Sequence, residues 1–250
     1  MNTISARVAA ASVIGARHTR GARNGQDAAA VWVDAAARRG AVVVCDGCSS
    51  GASSEVGARL GAQLAVKAIA DAMRDGLAVD ELWDRVRTNV AATLRTLVAA
   101  MPGAREDVVR EHFLFTVVAA AWDGERVAVW ALGDGGYALG ESVTVLGPFE
   151  DNAPPYLGYD MLDMPHAPAH LAVADAACGA VIVATDGVAE LGIAGLAAER
   201  FLANPDALRR HLALRARGNE RIDFAAKKVE RTPAALQDDG AVAVLRWEAA

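Results

Sequence analysis

The chain has 250 residues, 53% of them hydrophobic, and a formal net charge of −6, enough apolar material for one large domain or two small ones. The acidic balance argues against a nucleic-acid partner, because a phosphate backbone has to be met by a concentrated basic surface. No apolar run approaches the roughly 18 residues of a spanning helix, so no membrane partner is expected.

In chain order, residues 6–15 predict a first strand. Val8–Ala16 is apolar and follows Arg7, as the core of a signal peptide would, but it is short and runs into Arg17, His18, Thr19 and Arg20 without a cleavage pattern. After a loop over 17–26, strands are predicted at 28–34 and 41–46, turned by Arg38-Arg39-Gly40. Helices follow at 54–74, behind a Ser53 or Ser54 cap, and at 79–101, where Leu82, Val86, Val90, Leu94, Leu97 and Val98 recur at helical spacing.

Strands return at 113–122 and 126–133, joined by the tight-hairpin signal Asp123-Gly124, then at 136–140 and 142–146. The stretch 147–170 holds five of the eight prolines and reads as a loop. A further strand pair is predicted at 169–174 and 180–185, helices at 188–201, 205–217 and 220–230, and a last strand at 240–247. The aperiodic stretches are short enough to be loops of a single domain over 1–250. Hairpin-linked strands with helices in blocks indicate antiparallel sheets covered by helices. The basic run from Arg209 to Lys228 is interrupted by acids and reads as a solvated helix face. Cys45 and Cys48 form one Cys-x-x-Cys without a second pair, and Cys178 is alone, which suits reduced thiols in a cytoplasm.

Four carboxylates stand at the ends of apolar strands: Asp46, Asp134, Asp186 and Asp239, each followed by Gly. A single Asp-Gly at a strand end is most often a turn. Four of them suggest one shared site. Like charges about 4 Å apart repel by about 4 kcal/mol at an effective dielectric near 20, so convergence calls for cations or protons. Two divalent ions sharing one carboxylate lower the pKa of a water enough for attack on phosphorus, without a nucleophilic side chain.

The ordered motifs Asn24-Gly25-Gln26-Asp27-Ala28, Cys45-Asp46-Gly47, Gly133-Asp134-Gly135, Ala184-Thr185-Asp186-Gly187 with Glu190, and Asp238-Asp239-Gly240 resemble the metal-dependent protein phosphatases of type 2C, in a divergent bacterial branch. The resemblance spans nearly the whole chain, and the helix pair between the first two Asp-Gly strands is similar to the family's. It implies an α+β fold, a four-layer sandwich of two antiparallel β-sheets flanked by α-helices on both sides. It also implies a cytoplasmic serine/threonine phosphoprotein phosphatase that uses two Mn²⁺ or Mg²⁺ ions, with a weaker third, on the targets of a serine/threonine kinase. By the same resemblance Asp46 bridges both metals, Asp186 and Asp239 complete the ligands of the first metal, the Gly47 carbonyl and Asp27 hold the second ion, and Asp134 with Glu190 serves the third.

Three positions depart from that pattern. Cys48 stands where many relatives carry a proton-donating His, Gln26 replaces an acid before Asp27, and the phosphate-binding Arg is displaced, leaving Arg20 or Arg23. His18 could donate the proton or hydrogen-bond a water at the metals, although a lone His near a strand end is more often structural. Thr116 and the tryptophans read as core, and Asn152–Leu157 as a structural turn or a substrate-facing edge. Two rivals stand beside this reading. A haloacid-dehalogenase-like phosphatase would want a paired Asp-x-Asp, which Asp46-Gly47-Cys48 is not; a catalytically weak or inert phosphoprotein-binding regulatory module on the same fold would keep the carboxylates and lose the turnover.

Overall fold

A computed structural model of the protein describes residues 6–34, 36–162, 164, 167–204, 206–225 and 227–248. Its first segment is β1 (Ala6–Val13), a short helix α1 (Ala16–Arg20), β2 (Asp27–Asp34) and β3 (Arg39–Gly47). Three helices follow, α2 (Ser54–Arg74), α3 (Trp83–Ala100) and α4 (Arg105–His112), then strands β4 (Phe115–Trp122), β5 (Arg126–Leu132), β6 (Gly135–Leu139) and β7 (Ser142–Leu146). The last third holds β8 (His170–Asp175), β9 (Ala180–Ala184), α5 (Asp186–Leu191), α6 (Glu199–Leu202), α7 (Ala207–Arg215), β10 (Asn219–Asp223), β11 (Lys228–Thr232) and β12 (Gly240–Trp247).

Two five-stranded antiparallel sheets result, ordered β1-β12-β9-β6-β7 and β2-β3-β4-β5-β8. The alternation within β3 shows why they stack. Val42 and Val44 enter the layer between the sheets with Val118, Val183 and Leu245, while Ala41, Val43 and Cys45 face the opposite way, into the core beneath α2, α3 and α4. Each fully buried valine contributes about 1.5–3 kcal/mol relative to exposure. Trp122 and Trp247 stack between the sheets at 4.9 Å. The outer face of the other sheet is covered by α5, α6 and α7 through Val188, Phe201, Leu208 and Leu212. This is the four-layer sandwich expected from the sequence.

Small residues let α2 lie close to the sheet. A Cβ on Gly57 would stand 2.3 Å from the His112 carbonyl oxygen, and one on Gly61 2.4 Å from the Phe115 ring.

Four stretches differ from the expected elements, the first being α1, which forms inside the expected loop over 17–26. The predicted helix at 220–230 is instead the hairpin β10–β11, a separate two-stranded sheet in which Ile222 pairs with Val229; β-branched residues fit a cross-strand pair better than a helix face. Helix α4 carries Glu106 and Asp107 in its first turn and Arg110 and His112 in its last, which suits the helix dipole. It buries only Val108 and Val109, too few apolar residues for a periodic signal. The helical pattern at 188–201 is interrupted at Gly192, where φ is +90°, so α5 and α6 are separate.

Candidate metal and phosphate site

The register of β2 and β3 sets Asp27 directly opposite Asp46, and that of β3 and β4 sets Asp46 opposite Thr116. Asp186 begins α5 at the end of β9, Asp134 lies between β5 and β6, and Asp238 and Asp239 precede β12. Both sheets therefore deliver carboxylates to one edge, where a cavity of about 80 Å³ is lined by Asp27, Asp46, Asp134, Asp186, Asp238 and Asp239 together with His18, Gly47, Cys48, Thr116 and Tyr156.

Asp46 is the hub. It lies opposite Asp27 in the ladder and shares the cavity with Asp186, and its carboxyl is pushed well above the carboxylate range by burial, then by the charges of Asp27 and Asp186. Burial likewise lifts Asp27 to about 8, opposed by the Thr185 hydroxyl and reinforced by the charge of Asp239. Asp186 is raised by burial, against the Gly187 N–H, with a contribution from Asp238. Asp134 is raised to about 6 by burial and the charge of Asp186. Burial is the first cause at each of the four carboxyls, and among the described residues no Arg or Lys lines the cavity to offset it.

Thr185, which sequence reasoning passed over, ties the two sheets together at this point. Its hydroxyl donates to Asp27 Oδ2 at 2.5 Å and accepts from the Ala241 N–H at 2.9 Å. Gly47 is needed for packing, since a Cβ there would lie 2.8 Å from Ser54 Oγ.

The two consecutive aspartates differ sharply. Asp239 is 3% exposed; its Oδ1 accepts the Gly15 N–H at 2.8 Å, and its Oδ2 accepts the Gln26 N–H at 2.6 Å and meets His18 Nδ1 at 2.6 Å. Gly15 is required here, because a Cβ would fall 2.1 Å from the Asp238 carbonyl. Asp238 has an exposed side chain whose Oδ2 lies 4.0 Å from Arg17 Nη1 and whose Oδ1 accepts the Asp239 N–H at 3.0 Å, and it bears electrostatically on Asp186. Asp238 is thus the freer carboxylate, and Asp239 the one that holds His18. The family resemblance makes Asp239 a ligand of the first metal, whereas here its oxygens are taken up by Gly15, Gln26 and His18.

The remaining candidates lie farther out. Glu190 is exposed on α5 and does not line the cavity. Arg23 donates to the Ser49 carbonyl at 3.0 Å, and Ser49 lines the cavity, so this guanidinium stands at the rim. Arg20 turns away to Gln237 Oε1 at 3.3 Å. Cys48 Sγ lies 3.1 Å from Ser50 Oγ; burial pushes its thiol up, but hydrogen bonds from Ser50, Tyr156 and the backbone of Ser50 and Gly51 together bring it below the ordinary value. Tyr156 and Asp238 join the site from a proline-rich loop and a turn, where residue type alone carries little signal.

The cavity offers hard oxygen donors and uncompensated negative charge, which fits a divalent cation. Among the described residues, no three acidic, His or Cys side chains stand at ligand spacing, so the carboxylates share one cavity without forming a closed cage.

Two stacked antiparallel sheets flanked by helices, with acids gathered at one edge, define the fold class, and sequence comparison names the family. Residues 14–231 match the family model for protein phosphatase 2C, and the chain belongs to that family. Among solved structures, the serine/threonine phosphatase PstP/Ppp of Mycobacterium tuberculosis is 17% identical at a TM-score of 0.60, with 96% of this chain and 98% of that one covered. The PstP catalytic domain in complex with two manganese ions is 19% identical at 0.57, covering 98% and 99%. Stp1 of Staphylococcus aureus is 11% identical at 0.59, covering 96% and 94%. At these identities the likeness is one of fold. No curated protein matches the sequence.

Proposed function

We propose that the chain is a manganese- or magnesium-dependent serine/threonine phosphoprotein phosphatase. The observation that carries this reading is the single cavity at the meeting edge of the two sheets, lined by Asp27, Asp46, Asp134, Asp186, Asp238 and Asp239, with Asp27 directly opposite Asp46 in the ladder. Asp27, Asp46, Asp186 and Asp238, with the Gly47 carbonyl, would hold two ions; Asp134 supplies oxygen for a weaker third. When bound, such ions act as Lewis acids and lower the pKa of water enough to make a nucleophile at neutral pH.

The chain's own residues supply the rest. Asp239 fixes one ring nitrogen of His18, so the other is free to deliver a proton to the departing serine or threonine oxygen. Arg23 at the rim is placed to pair with the phosphate dianion. The substrates are phosphoproteins made by a serine/threonine kinase. The three free cysteines suit a reducing cytoplasm, and among the described residues no helix is long and apolar enough to cross a membrane.

The open spacing of the carboxylates favours one second reading, a regulatory module that binds phosphoproteins without turnover. Release of phosphate from an aryl phosphate separates the two. The enzyme reading expects activity that depends on Mn²⁺, is abolished by chelation and is lost in Asp46→Asn. Absence of activity at millimolar Mn²⁺, with retained affinity for a phosphopeptide, would establish the module instead.

A further inference from the structure

The β10–β11 hairpin packs into neither five-stranded sheet, and every residue of β11 is exposed. Isolated two-stranded hairpins are marginal in water, yet this one carries Ile222 at 55%, Val229 at 48% and Phe224 at 84% exposure. It also concentrates positive charge. Residues 215–232 contain six Arg or Lys against three acids, in a chain of net charge −6.

The hairpin is anchored beside the site. Leu236 N–H donates to the Arg215 carbonyl at 2.9 Å, and the Ala16 and Arg17 N–H groups donate to the Leu236 and Gln237 carbonyls at 3.2 and 2.9 Å. The strand leaving β11 thus runs along α1, the helix that carries His18, and ends at Asp238 and Asp239. Between α1 and the base of the hairpin lies a cleft of about 590 Å³, with Ala16, Pro233 and Ala234 among its apolar walls and three arginines, Arg20, Arg217 and Arg231, against the single acid Glu220 in its lining. That volume falls within the roughly 300–1,000 Å³ of typical ligand clefts.

We infer that this cleft and the outer face of the hairpin dock the extended segment flanking the phosphorylated residue, and that they select acidic flanks. The inference rests on the phosphatase reading of the neighbouring cavity. The Arg217 guanidinium pairs with a carboxylate in the fork geometry that favours Arg, with Arg221 extending the basic rim, while Arg231 is already held by Glu220 Oε1 at 2.8 Å. Each strand of the hairpin has an unpaired backbone edge on which an extended peptide can add. Ile222 and Val229, paired across the ladder, offer the apolar contact.

The test compares two phosphoserine peptides, one with Asp and Glu flanks and one with Ser and Gly flanks, alongside an aryl phosphate. Wild type should show a higher kcat/KM on the acidic peptide. The double variant Arg217→Glu/Arg221→Glu should lose about tenfold on that peptide, since each reversal turns attraction into repulsion, and the loss should shrink in high salt. Its aryl phosphate activity should be unchanged. A second variant, with 220–231 replaced by a short Gly-Ser turn, should show the same pattern, and circular dichroism reports whether either variant is folded.

Equal kcat/KM on both peptides in wild type, or an unchanged acidic-peptide value in both variants, overturns the inference. Inactivity on the aryl phosphate would instead sink the phosphatase reading. In that case, fluorescence anisotropy of the labelled acidic phosphopeptide decides docking alone: weaker binding to the double variant supports it, equal binding overturns it. Unchanged peptide kinetics with charge-dependent sedimentation on anionic vesicles would assign the hairpin to a lipid surface.

Discussion

Asp27 and Asp46 face each other across the β2–β3 ladder, and both carboxyls are raised, first of all by burial. The arrangement is costly without cations, and the cost is readable as pH dependence. A carboxyl raised in the folded state takes up a proton on folding; its stabilisation is complete below the unfolded value near 4 and is lost as pH climbs through the folded value. With Asp134 at about 6 and Asp27 at about 8, the chelator-treated protein should melt at progressively lower temperature between about pH 4 and pH 8. Asp27→Asn should flatten the upper part of that slope, as thermal melts across the range would show.

Divalent ions should relieve the same repulsion. A ligand that binds only the folded state adds about 2.7 kcal/mol at a hundredfold excess over its Kd. Millimolar Mn²⁺ should therefore raise the melting temperature of the wild type, and the rise should vanish in Asp46→Asn. An equal rise in that variant would place the ions elsewhere.

The two candidate arginines should separate in steady-state kinetics. Arg23 reaches the cavity rim through Ser49, whereas Arg20 is directed to Gln237. Hydrogen bonds to charged groups contribute about 1.5–3 kcal/mol, so Arg23→Ala should raise KM for an aryl phosphate by about tenfold or more, with Arg20→Ala close to wild type. The reverse ranking would move the phosphate to the other side of α1.

His18 is held by Asp239 at 2.6 Å in a buried pair. If it protonates the leaving oxygen, His18→Ala should lower turnover of a phosphoserine peptide by roughly 10²- to 10⁴-fold and spare an aryl phosphate, whose phenolate leaves unaided. Asp239→Asn should follow the same pattern more weakly. Equal losses on both substrates would make the pair a structural tie.

Packing at α2 gives a stability test away from the chemistry. Gly57→Ala forces a methyl against the His112 carbonyl, whereas the nearest atom to a Cβ on Gly21 is at an ordinary 3.5 Å. Overpacking of this kind costs about 1–3 kcal/mol, and a domain of this size loses about 2–4 °C per kcal/mol. Calorimetry should show that drop for Gly57→Ala and little change for Gly21→Ala.

What the sequence determined by itself is the part governed by local chemistry. The unbroken apolar run Ala41-Val42-Val43-Val44-Cys45 marked a strand, and Asp123-Gly124 marked a hairpin. The Asp-Gly steps at Asp46, Asp134 and Asp186 marked strand ends where carboxylates reach a common cavity. Alternation and turn residues act between neighbours, so they are written in the chain. The tertiary structure alone decided that Asp239, not Asp238, holds His18, because its partners at Gly15, His18 and Gln26 lie more than 200 residues away. It alone joined Thr185 to Asp27 across the two sheets, and it alone showed 219–232 as a strand pair, where Ile222 and Val229 satisfy each other across the ladder. Burial, the force that raises the carboxyls and orders these contacts, depends on what packs against a residue from far along the chain, and no local pattern encodes it.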